Sequence, residues 1–358
     1  MTEALAVVGQ AGKFSVETIE VNDPGPGEVL VDLKASGVCH TDHDMLSLPM
    51  PFVMGHEGAG VVAALGEGVT GLAVGDRVVL NWAIPCGMCA NCVAGIRHLC
   101  LNGSPIAGGM KGHADFGRST FNGAGIYRAF NLGTMSTKTV VRAPAVTKIS
   151  TDASFEAACI VGCGVMTGWG SAVNAARVTP GSSVVVLGCG GVGLNVIQGA
   201  RIAGATTIIA VDPKDTRRAM ALEFGATEAI EPGEDAALTL MSPNGLGFDY
   251  AFECTAVPEL AVAPLKFIRH GGMAVAVSGV ELEITVDMRL FEFDKTYINP
   301  LYGQCQPERD FDRVFALHAA GQMKLDELVT RTYKIDDVAA AFDDLLAGRN
   351  AKGVLVFD

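Results

Sequence analysis

The chain has 358 residues, of which 49% are hydrophobic and 18% are charged. This composition supports a sizeable folded core and excludes a disordered chain, and at roughly 100–200 residues per domain the length predicts two domains. The net charge of -13 and the pI near 5.0 exclude a basic surface for nucleic acid or for an anionic membrane.

The compartment is predicted from the N-terminus and from the cysteine content. The first residues are acidic and lack the basic and long apolar regions of a signal peptide. Ten cysteines in such a chain indicate a reducing compartment, where clustered cysteines usually bind metal or take part in catalysis. We therefore expect a soluble, cytoplasmic protein.

The first 150 residues are predicted to be mostly β-structure. Alternating runs such as 29–33 and 60–64 are separated by turn-forming residues, for example Asp23–Gly27. The glycine-rich stretch 101–133 is weakly periodic and predicts long surface loops.

From about residue 165 the pattern changes to strands that alternate with helices. The predicted strands are Ser183–Leu187, Thr207–Val211, Phe248–Phe252 and Met273–Val277, and the predicted helices are Val192–Ala203, Asp215–Phe224 and Glu259–Arg269. Such alternation predicts an α/β fold with a doubly wound parallel sheet. The chain then returns to predicted helices over 311–320 and 335–347 and ends with a strand over 353–357.

A dinucleotide-binding loop is predicted directly after the first of these strands. The loop has the form G-x-G-x-x-G and contains Gly188, Gly190, Gly191, Val192 and Gly193. Its glycines permit a tight turn and close approach of the backbone to a pyrophosphate, and the following helix supplies partial positive charge. The alternative is a glycine-rich turn without a ligand, which the strand and helix on either side disfavour.

Asp212 ends the next predicted strand and is placed to accept hydrogen bonds from the hydroxyls of an adenine ribose. Its carboxylate would repel a 2′-phosphate, so NAD is favoured over NADP. Arg217 and Arg218 either flank the adenosine or are solvated.

Four cysteines within fifteen residues predict a closed tetrahedral zinc site. They are Cys86, Cys89, Cys92 and Cys100. An iron–sulfur cluster is the main chemical alternative, whereas core cysteines or disulfides fit the polar and glycine-rich intervening residues poorly. We interpret this segment as a loop lobe that metal holds together.

A second, open metal site is predicted from three residues that lie far apart in the chain. Cys39, His56 and Cys163 would form a Cys2His set with one coordination position free, as a catalytic zinc requires. Taken singly, either cysteine fits a core position and His56 fits a turn. Together with the cysteine lobe and the glycine loop, the metal interpretation is favoured.

Three neighbours of these residues have candidate roles. Asp42 would orient a metal ligand, Glu57 would approach the metal from behind, and the Thr41 hydroxyl would bond a substrate oxygen and pass on its proton. A metal that polarises oxygen beside a nicotinamide predicts hydride exchange between an alcohol and a carbonyl compound.

These motifs resemble those of the zinc-containing alcohol dehydrogenases of the medium-chain dehydrogenase/reductase superfamily. The resemblance covers essentially the whole chain. It rests on the segments Gly37–Asp42, Gly55–Val69, Cys86–Cys100, Gly162–Gly168 and Gly188–Gly193, which occur in the order of the family.

The resemblance implies a role for each matching residue. Catalytic zinc would be bound by Cys39, His56 and Cys163, with Glu57 as an occasional extra ligand and Asp42 behind the ligands, and structural zinc by the four cysteines of the lobe. The implied cofactor contacts are those of His40 and Lys352 with the pyrophosphate, Thr167 with the nicotinamide and Asp212 with the adenine ribose; Trp82 would form an aromatic pocket wall.

One position departs from the family. Many members end their proton relay with a histidine where this chain has Asp44. Asp44 would bind ribose hydroxyls or serve as the terminal base, or the relay would run directly to water.

The resemblance also implies the domain organisation and the activity. A mostly-β, GroES-like catalytic domain is expected over residues 1–164 and 302–358, and an NAD-binding Rossmann domain over residues 165–301. The expected protein is a homodimer or homotetramer with two zinc ions per chain. It would interconvert primary alcohols, aliphatic or aromatic, and aldehydes with NAD(H), without nucleic-acid or membrane partners.

Two alternatives to this activity remain. One is a formaldehyde dehydrogenase that acts on S-hydroxymethyl thiols, for which Arg118 would supply the cation that binds the thiol carrier's carboxylate. The other, from a different class, is a catalytically silent NAD-binding protein stabilised by zinc.

Overall fold

The structure is a computed structural model that describes residues 1–107, 117–233, 238–239, 241–279 and 283–358. Part of the predicted loop region, residues 108–116, lies outside the described residues. The chain divides into two compact units, one formed by Met1–Cys163 with Gln306–Asp358 and the other by Gly164–Cys305.

The first unit contains two β-sheets. Its first sheet has the order β8-β7-β2-β1-β4-β9. These strands are β1 (Thr2–Gln10), β2 (Lys13–Val21), β4 (Phe52–Val53), β7 (Ser119–Phe121), β8 (Ala124–Gly125) and β9 (Tyr127–Arg128). Alternate residues of β1 (Ala4, Ala6 and Val8) enter a core cluster, as expected for a sheet with one buried face.

The second sheet of this unit has the order β11-β6-β5-β3-β19-β18, with β10 paired to β3. Its strands are β3 (Glu28–Gly37), β5 (Gly58–Leu65), β6 (Arg77–Leu80), β10 (Lys138–Arg142), β11 (Val146–Lys148), β18 (Val329–Lys334) and β19 (Lys352–Val356). Val354 of β19 pairs with Gly37 of β3, so the C-terminal strand lies beside the segment that leads to Cys39.

The helices of the first unit are short except near the C-terminus. They are α1 (His40–Asp44), α2 (Ala90–Val93), α3 (Phe155–Cys159), α8 (Pro307–Ala319) and α9 (Val338–Leu346). Ser154 caps the N-terminus of α3, because its hydroxyl accepts a hydrogen bond from the Ala157 amide at 3.1 Å.

The second unit has a parallel sheet of the order β14-β13-β12-β15-β16-β17. Its strands are β12 (Ser183–Leu187), β13 (Thr207–Val211), β14 (Glu228–Ile230), β15 (Phe248–Glu253), β16 (Ile268–Ala276) and β17 (Thr296–Ile298), and its helices are α4 (Gly164–Gly170), α5 (Gly191–Ile202), α6 (Asp215–Phe224) and α7 (Pro264–Phe267). All five residues of β12 are buried, which is typical of a parallel strand that is covered on both faces. The predicted α/β fold class is confirmed.

One predicted helix in this unit is wrong. Residues 259–269 were expected to form one continuous helix. The structure instead has a 3₁₀ turn at Pro258–Leu260 and the single helical turn α7, and residue 268 already belongs to β16. Pro264 can occupy only the first turn of a helix, and Ile268 pairs with Phe248 of the sheet.

The expectation of surface loops across 101–133 is also wrong for its second half. Tyr127, Ala129, Phe130 and Leu132 are all buried. This part of the chain adds the three short strands β7, β8 and β9 to the first sheet, and Ile126 lies in the core cluster of that sheet.

Among the described residues, no single helix is long and apolar enough to cross a membrane. One bent helix pair, Phe155–Gly162 with Gly164–Ala175, meets that test jointly by length and composition alone.

Candidate functional site

The three residues of the predicted open metal site meet in the first unit. One ligand atom from each of Cys39, His56, Glu57 and Cys163 lies within 4.8 Å of the others. Nε2 of His56 is 3.3 Å from Sγ of Cys163. Ligands held at roughly 2.0–2.3 Å from one tetrahedral zinc lie about 3.3–3.8 Å apart, so these sulfur and nitrogen atoms fit such an ion.

Local structure explains how each ligand is presented. Cys39 has extended backbone directly before α1, His56 lies between β4 and β5, and Cys163 follows the 3₁₀ turn Ile160–Gly162. All three lie in short connections between elements, where side chains from different parts of the chain can converge.

Asp42 connects two of these ligands. Its Oδ2 accepts a hydrogen bond from the Cys39 amide at 3.2 Å, and its Oδ1 lies 2.7 Å from Nδ1 of His56. In the neutral form of His56 the carboxylate accepts the Nδ1 proton, which leaves the lone pair on Nε2, the nitrogen that lies next to Cys163. The structure therefore places Asp42 where a residue that orients a metal ligand must lie.

Glu57 has a buried cationic partner that the sequence did not reveal. Oε1 of Glu57 accepts a hydrogen bond from Nζ of Lys352 at 2.5 Å, although the two residues are 295 positions apart. Oε2 of Glu57 is buried and has no hydrogen-bond partner within the part of the chain that the structure describes. This contact differs from the pyrophosphate contact implied for Lys352, which stays a prediction.

The charges in this cluster shift the ionisation of its members. The hydrogen bond from the Cys163 thiol lowers the pKa of Cys39 well below its ordinary value, and the same bond raises the pKa of Cys163. Burial disfavours the imidazolium form of His56, but the Asp42 carboxylate outweighs it and raises the pKa of His56. Burial raises the pKa of Glu57 to about 7, and the Lys352 ammonium opposes that rise.

Two aromatic rings lie beside the candidate ligands. The ring of Phe130 is 4.8 Å from that of His56 and 5.4 Å from that of Trp82, centroid to centroid. Phe130 has a φ of 53°, a left-handed conformation that is costly for a residue with a Cβ. The buried side chains of Phe130 and Trp82 form an apolar wall close to His56.

The residues of α1 differ in their distance from this cluster. Oγ1 of Thr41 is 3.8 Å from Sγ of Cys39. His40 is exposed, and the side chain of Asp44 is 79% exposed, 3.9 Å from His43. Thr41 is thus at the candidate site, and Asp44 faces solvent.

The four cysteines of the lobe also converge, with their sulfur atoms within 4.8 Å of one another. Backbone amides point at these sulfurs: the Cys86 amide lies 3.2 Å from Sγ of Cys100, and the Gly103 amide 3.3 Å from the same atom. Amide donors of this kind stabilise thiolates, the form that binds zinc.

Ionisation within the lobe is uneven. The Met88 backbone amide is the main cause that lowers the pKa of Cys86 to about 6. Burial raises the pKa of Cys92 to about 12. A bound cation is the natural compensation for bringing four thiolates together.

In the second unit, the glycine loop has the shape that its motif predicts. Gly188 has a φ of 90°, and a Cβ on Gly193 would lie 1.9 Å from the Gly188 carbonyl oxygen. A Cβ on Gly190 would meet nothing within 4 Å. Gly190 precedes α5, so the start of this helix is open to a phosphate group.

Asp212 is tied to this loop. Its Oδ2 accepts a hydrogen bond from the Cys189 amide at 2.9 Å, and its Oδ1 accepts one from the Lys214 amide at 2.9 Å. Nη1 of Arg217 lies 3.7 Å from the same carboxylate, whereas Arg218 pairs with Asp215 and with Glu231. The carboxylate thus has fixed orientation at the end of β13.

Four further candidate residues have the following positions. Thr167 is half-buried in α4, and Gly191 and Val192 form the first turn of α5. Arg118 forms a salt bridge with Glu28 at 2.5 Å.

Two comparisons of the sequence with known families match most of the chain. Residues 25–151 match the alcohol dehydrogenase GroES-like domain, and residues 191–318 match the zinc-binding dehydrogenase domain.

Similar proteins were found over the full length. A putative alcohol dehydrogenase D of Mycobacterium tuberculosis is 38% identical, over 99% of this chain and 100% of that protein. An S-(hydroxymethyl)glutathione dehydrogenase of Paracoccus denitrificans is 34% identical over 100% of both chains. Among solved structures, the benzyl alcohol dehydrogenase of Acinetobacter calcoaceticus superimposes with a TM-score of 0.91 at 29% identity, again over 100% of both chains.

The chain therefore belongs to the zinc-containing alcohol dehydrogenases of the medium-chain dehydrogenase/reductase superfamily. Its fold joins a GroES-like domain with a Rossmann-like domain, as the sequence predicted.

Proposed function

We propose that this protein is a zinc-dependent oxidoreductase that interconverts primary alcohols and aldehydes with NAD(H). The observation that carries the proposal is the convergence of Cys39, His56 and Cys163, with Asp42 bonded to His56 at 2.7 Å. Three protein ligands leave one position of a tetrahedral zinc free for a substrate, which is the arrangement of catalytic sites.

A zinc ion held there would act as a Lewis acid that polarises the substrate oxygen. The protein's own contribution is orientation. Asp42 fixes the tautomer and the ring plane of His56 and at the same time holds the backbone of Cys39. The single carboxylate of Asp42 thereby fixes the positions of Cys39 and His56 relative to each other, although they come from different segments.

Thr41 would transfer the hydroxyl proton of the bound alcohol away from the substrate. Its hydroxyl lies 3.8 Å from Sγ of Cys39 and can donate one hydrogen bond while it accepts another. Asp44 is largely exposed on the same helix, so it would release the proton to solvent without a histidine.

The aromatic wall formed by Trp82 and Phe130 would influence which substrates are preferred. Trp82 and Phe130 are both buried, and Phe130 packs directly on the ring of His56. A flat apolar wall at this position favours aryl or long-chain primary alcohols over short ones, because stacking and apolar burial are gained only by the larger group.

The dinucleotide site favours NAD. Asp212 is buried and oriented by two backbone amides, and Arg218 is already paired with two acidic side chains. A 2′-phosphate would therefore meet a fixed negative charge without a free Arg218 to compensate it.

The experiment is a screen of NAD⁺ reduction with short, long-chain and aryl alcohols, combined with elemental analysis for zinc. We expect turnover of aryl alcohols and two zinc ions per chain. Cys39→Ser should lose one zinc and nearly all turnover while it retains NADH binding. Cys159→Ser is the matched control, because Cys159 is buried in the same unit and belongs to neither cysteine cluster.

Full turnover by Cys39→Ser would contradict the proposed centre. Absence of turnover with every alcohol, despite zinc and bound NADH, would favour a catalytically silent protein instead.

The thiol-adduct alternative is tested in the same screen with formaldehyde, with and without glutathione. The relative from Paracoccus denitrificans that bears this name is 34% identical. However, Arg118, the cation considered for the thiol carrier, is engaged by Glu28, so the structure offers less support for this activity. Turnover of formaldehyde only in the presence of the thiol would establish it.

A further inference from the structure

Glu253 is a buried carboxylate at the carboxyl end of a central strand in the parallel sheet. The glycine loop starts at the same end of this sheet. It is the last residue of β15, and its neighbours across the sheet are Leu187 of β12 and Ala276 of β16. Leu187 directly precedes Gly188. Ligands of doubly wound sheets bind at the carboxyl ends of the strands, which is the edge where Glu253 stands.

One oxygen of Glu253 organises the turn that follows β15. Oε1 accepts hydrogen bonds from the Thr255 amide at 2.5 Å, the Thr255 hydroxyl at 2.6 Å and the Ala256 amide at 3.0 Å. The Ser278 hydroxyl lies 3.4 Å from the same oxygen and accepts a hydrogen bond from the Ala256 amide at 2.9 Å. Glu253 thus ties its own turn to the residues after β16.

This turn needs such support. Ala256 has a φ of 57°, in the left-handed region that residues with a Cβ rarely adopt. A strained conformation of this kind persists only where the surroundings impose it. The convergence of the Thr255 and Ala256 amides on one carboxylate oxygen supplies that constraint.

The turn at residues 254–256 also packs against the glycine loop. A Cβ on Gly188 would lie 2.9 Å from the Cys254 carbonyl oxygen and 2.9 Å from Cγ2 of Thr255. A Cβ on Gly193 would lie 3.5 Å from Cβ of Cys254. The position of residues 254 and 255 therefore limits where the backbone of the glycine loop can lie.

The arrangement is costly for stability alone. Glu253 is 0% exposed, and over the described ranges of the chain its Oε2 has no hydrogen-bond partner. Burying a carboxylate with one oxygen unsatisfied is unfavourable. Costs of this kind are typical of functional sites rather than of packing.

We propose that Glu253 is a positioning residue for the dinucleotide. It holds the turn 254–256 in the strained form against which the glycine loop packs, so that the loop amides are preorganised for a pyrophosphate. This inference rests on the proposed NAD(H)-dependent function. It adds a residue that lies outside the glycine motif and that acts through the turn, without touching the cofactor.

The test compares NADH affinity and thermal stability in three variants. Glu253→Ala removes the acceptor, and Glu253→Gln keeps an oxygen for the same donors. Asp249→Ala is the matched control, because Asp249 accepts hydrogen bonds from Ser183 at the opposite end of the same strand. NADH fluorescence titration gives the dissociation constant, and hydrogen exchange of the Thr255 and Ala256 amides reports the turn.

We expect Glu253→Ala to weaken NADH binding at least about tenfold and to speed exchange of both amides. Glu253→Gln should stay within about threefold of the wild type, and Asp249→Ala should lower the melting temperature with less than about a twofold change in affinity. Unchanged affinity in folded Glu253→Ala, or an equal loss in Asp249→Ala, would overturn the proposal.

Two further outcomes are decisive. If Glu253→Ala does not fold, Thr255→Val replaces it. This variant removes the hydrogen bond from the Thr255 hydroxyl to Glu253 at 2.6 Å and the one that this hydroxyl accepts from the Val257 amide at 3.0 Å, and unchanged affinity in it refutes the role of the turn. If the wild-type protein itself binds neither NADH nor NADPH, the proposed function fails and this inference with it. Binding by the wild type with equal binding by the variants defeats the inference alone.

Discussion

Nζ of Lys352 lies 2.5 Å from Oε1 of Glu57, and both side chains are shielded from solvent directly beside the candidate zinc ligands. The first residue of β19 is thereby joined to the residue that follows His56. One oxygen of Glu57 thus accepts a hydrogen bond from Lys352, whereas the other has no hydrogen-bond partner among the residues that the structure describes.

This pair predicts a large effect of removing the cation. Lys352→Met leaves the Glu57 carboxylate buried without its partner, and we expect a loss of about 3 kcal/mol in the free energy of unfolding. The double variant Lys352→Met with Glu57→Gln should recover part of that loss. Urea unfolding of the isolated variants measures both values.

Lys138→Met provides the control for this prediction. Lys138 pairs with Asp32 at a partly exposed position, where an ion pair contributes about 0–1 kcal/mol. Equal losses in Lys138→Met and Lys352→Met would show that burial of the Glu57 pair has no special cost.

The hydrogen bonds of Asp42 to Cys39 and His56 lead to a separate prediction about metal retention. In Asp42→Asn the amide can no longer accept two hydrogen bonds as a charged group, so His56 loses its fixed tautomer, and we expect zinc affinity at the Cys2His centre to fall about 10–100-fold. Competition with a chelator, followed by zinc analysis, measures this. Asp44→Asn on the exposed face of the same helix should retain zinc like the wild type; if Asp42→Asn does so too, the orienting role is wrong.

The cysteine lobe predicts a loss of structure rather than of chemistry. Cys92→Ser removes one of four converging sulfurs, and we expect loss of one zinc per chain and a lower melting temperature, with NADH affinity unchanged because the dinucleotide loop lies in the other unit. Val93→Ser is the control, since Val93 is 76% exposed in the same lobe. A Cys92→Ser protein that keeps both zinc ions would rule out this ligand set.

Much of the second unit could be predicted from the sequence because its signals are local. The strand Ser183–Leu187 is an apolar run that ends at a glycine loop, and both Gly188 and Gly193 are required by close backbone contacts that a Cβ would violate. The failure at residues 259–269 has the opposite cause. There, the last residues of the predicted helix belong to a strand because they pair with β15. Local propensity does not predict such a long-range pairing.

The candidate metal ligands were also predictable, because cysteine and histidine in such contexts have few other uses. Asp42 was within reach of this reasoning, since it follows Cys39 by one helical turn. The partner of Glu57 was not, because no pattern relates positions 295 residues apart. Glu253 carried only a weak signal, an acidic residue at the end of a buried strand.

Asp249 predicts how stability depends on pH. Burial opposes ionisation of this carboxyl, but hydrogen bonds from the Ser183 amide and hydroxyl and from Arg269 outweigh it and lower its pKa. A lowered pKa in the folded state means that the contribution of Asp249 to stability is complete above its unfolded pKa of about 3.9 and is lost as the pH falls through its folded pKa.

We expect Asp249→Asn to be about 2 kcal/mol less stable than the wild type at neutral pH, with the difference shrinking below about pH 4. Unfolding curves between neutral and acidic pH measure it, and Glu223→Gln on the exposed side of α6 is the control. A difference between Asp249→Asn and the wild type that stays constant down to the acid limit would mean that the charge of Asp249 does not stabilise the fold.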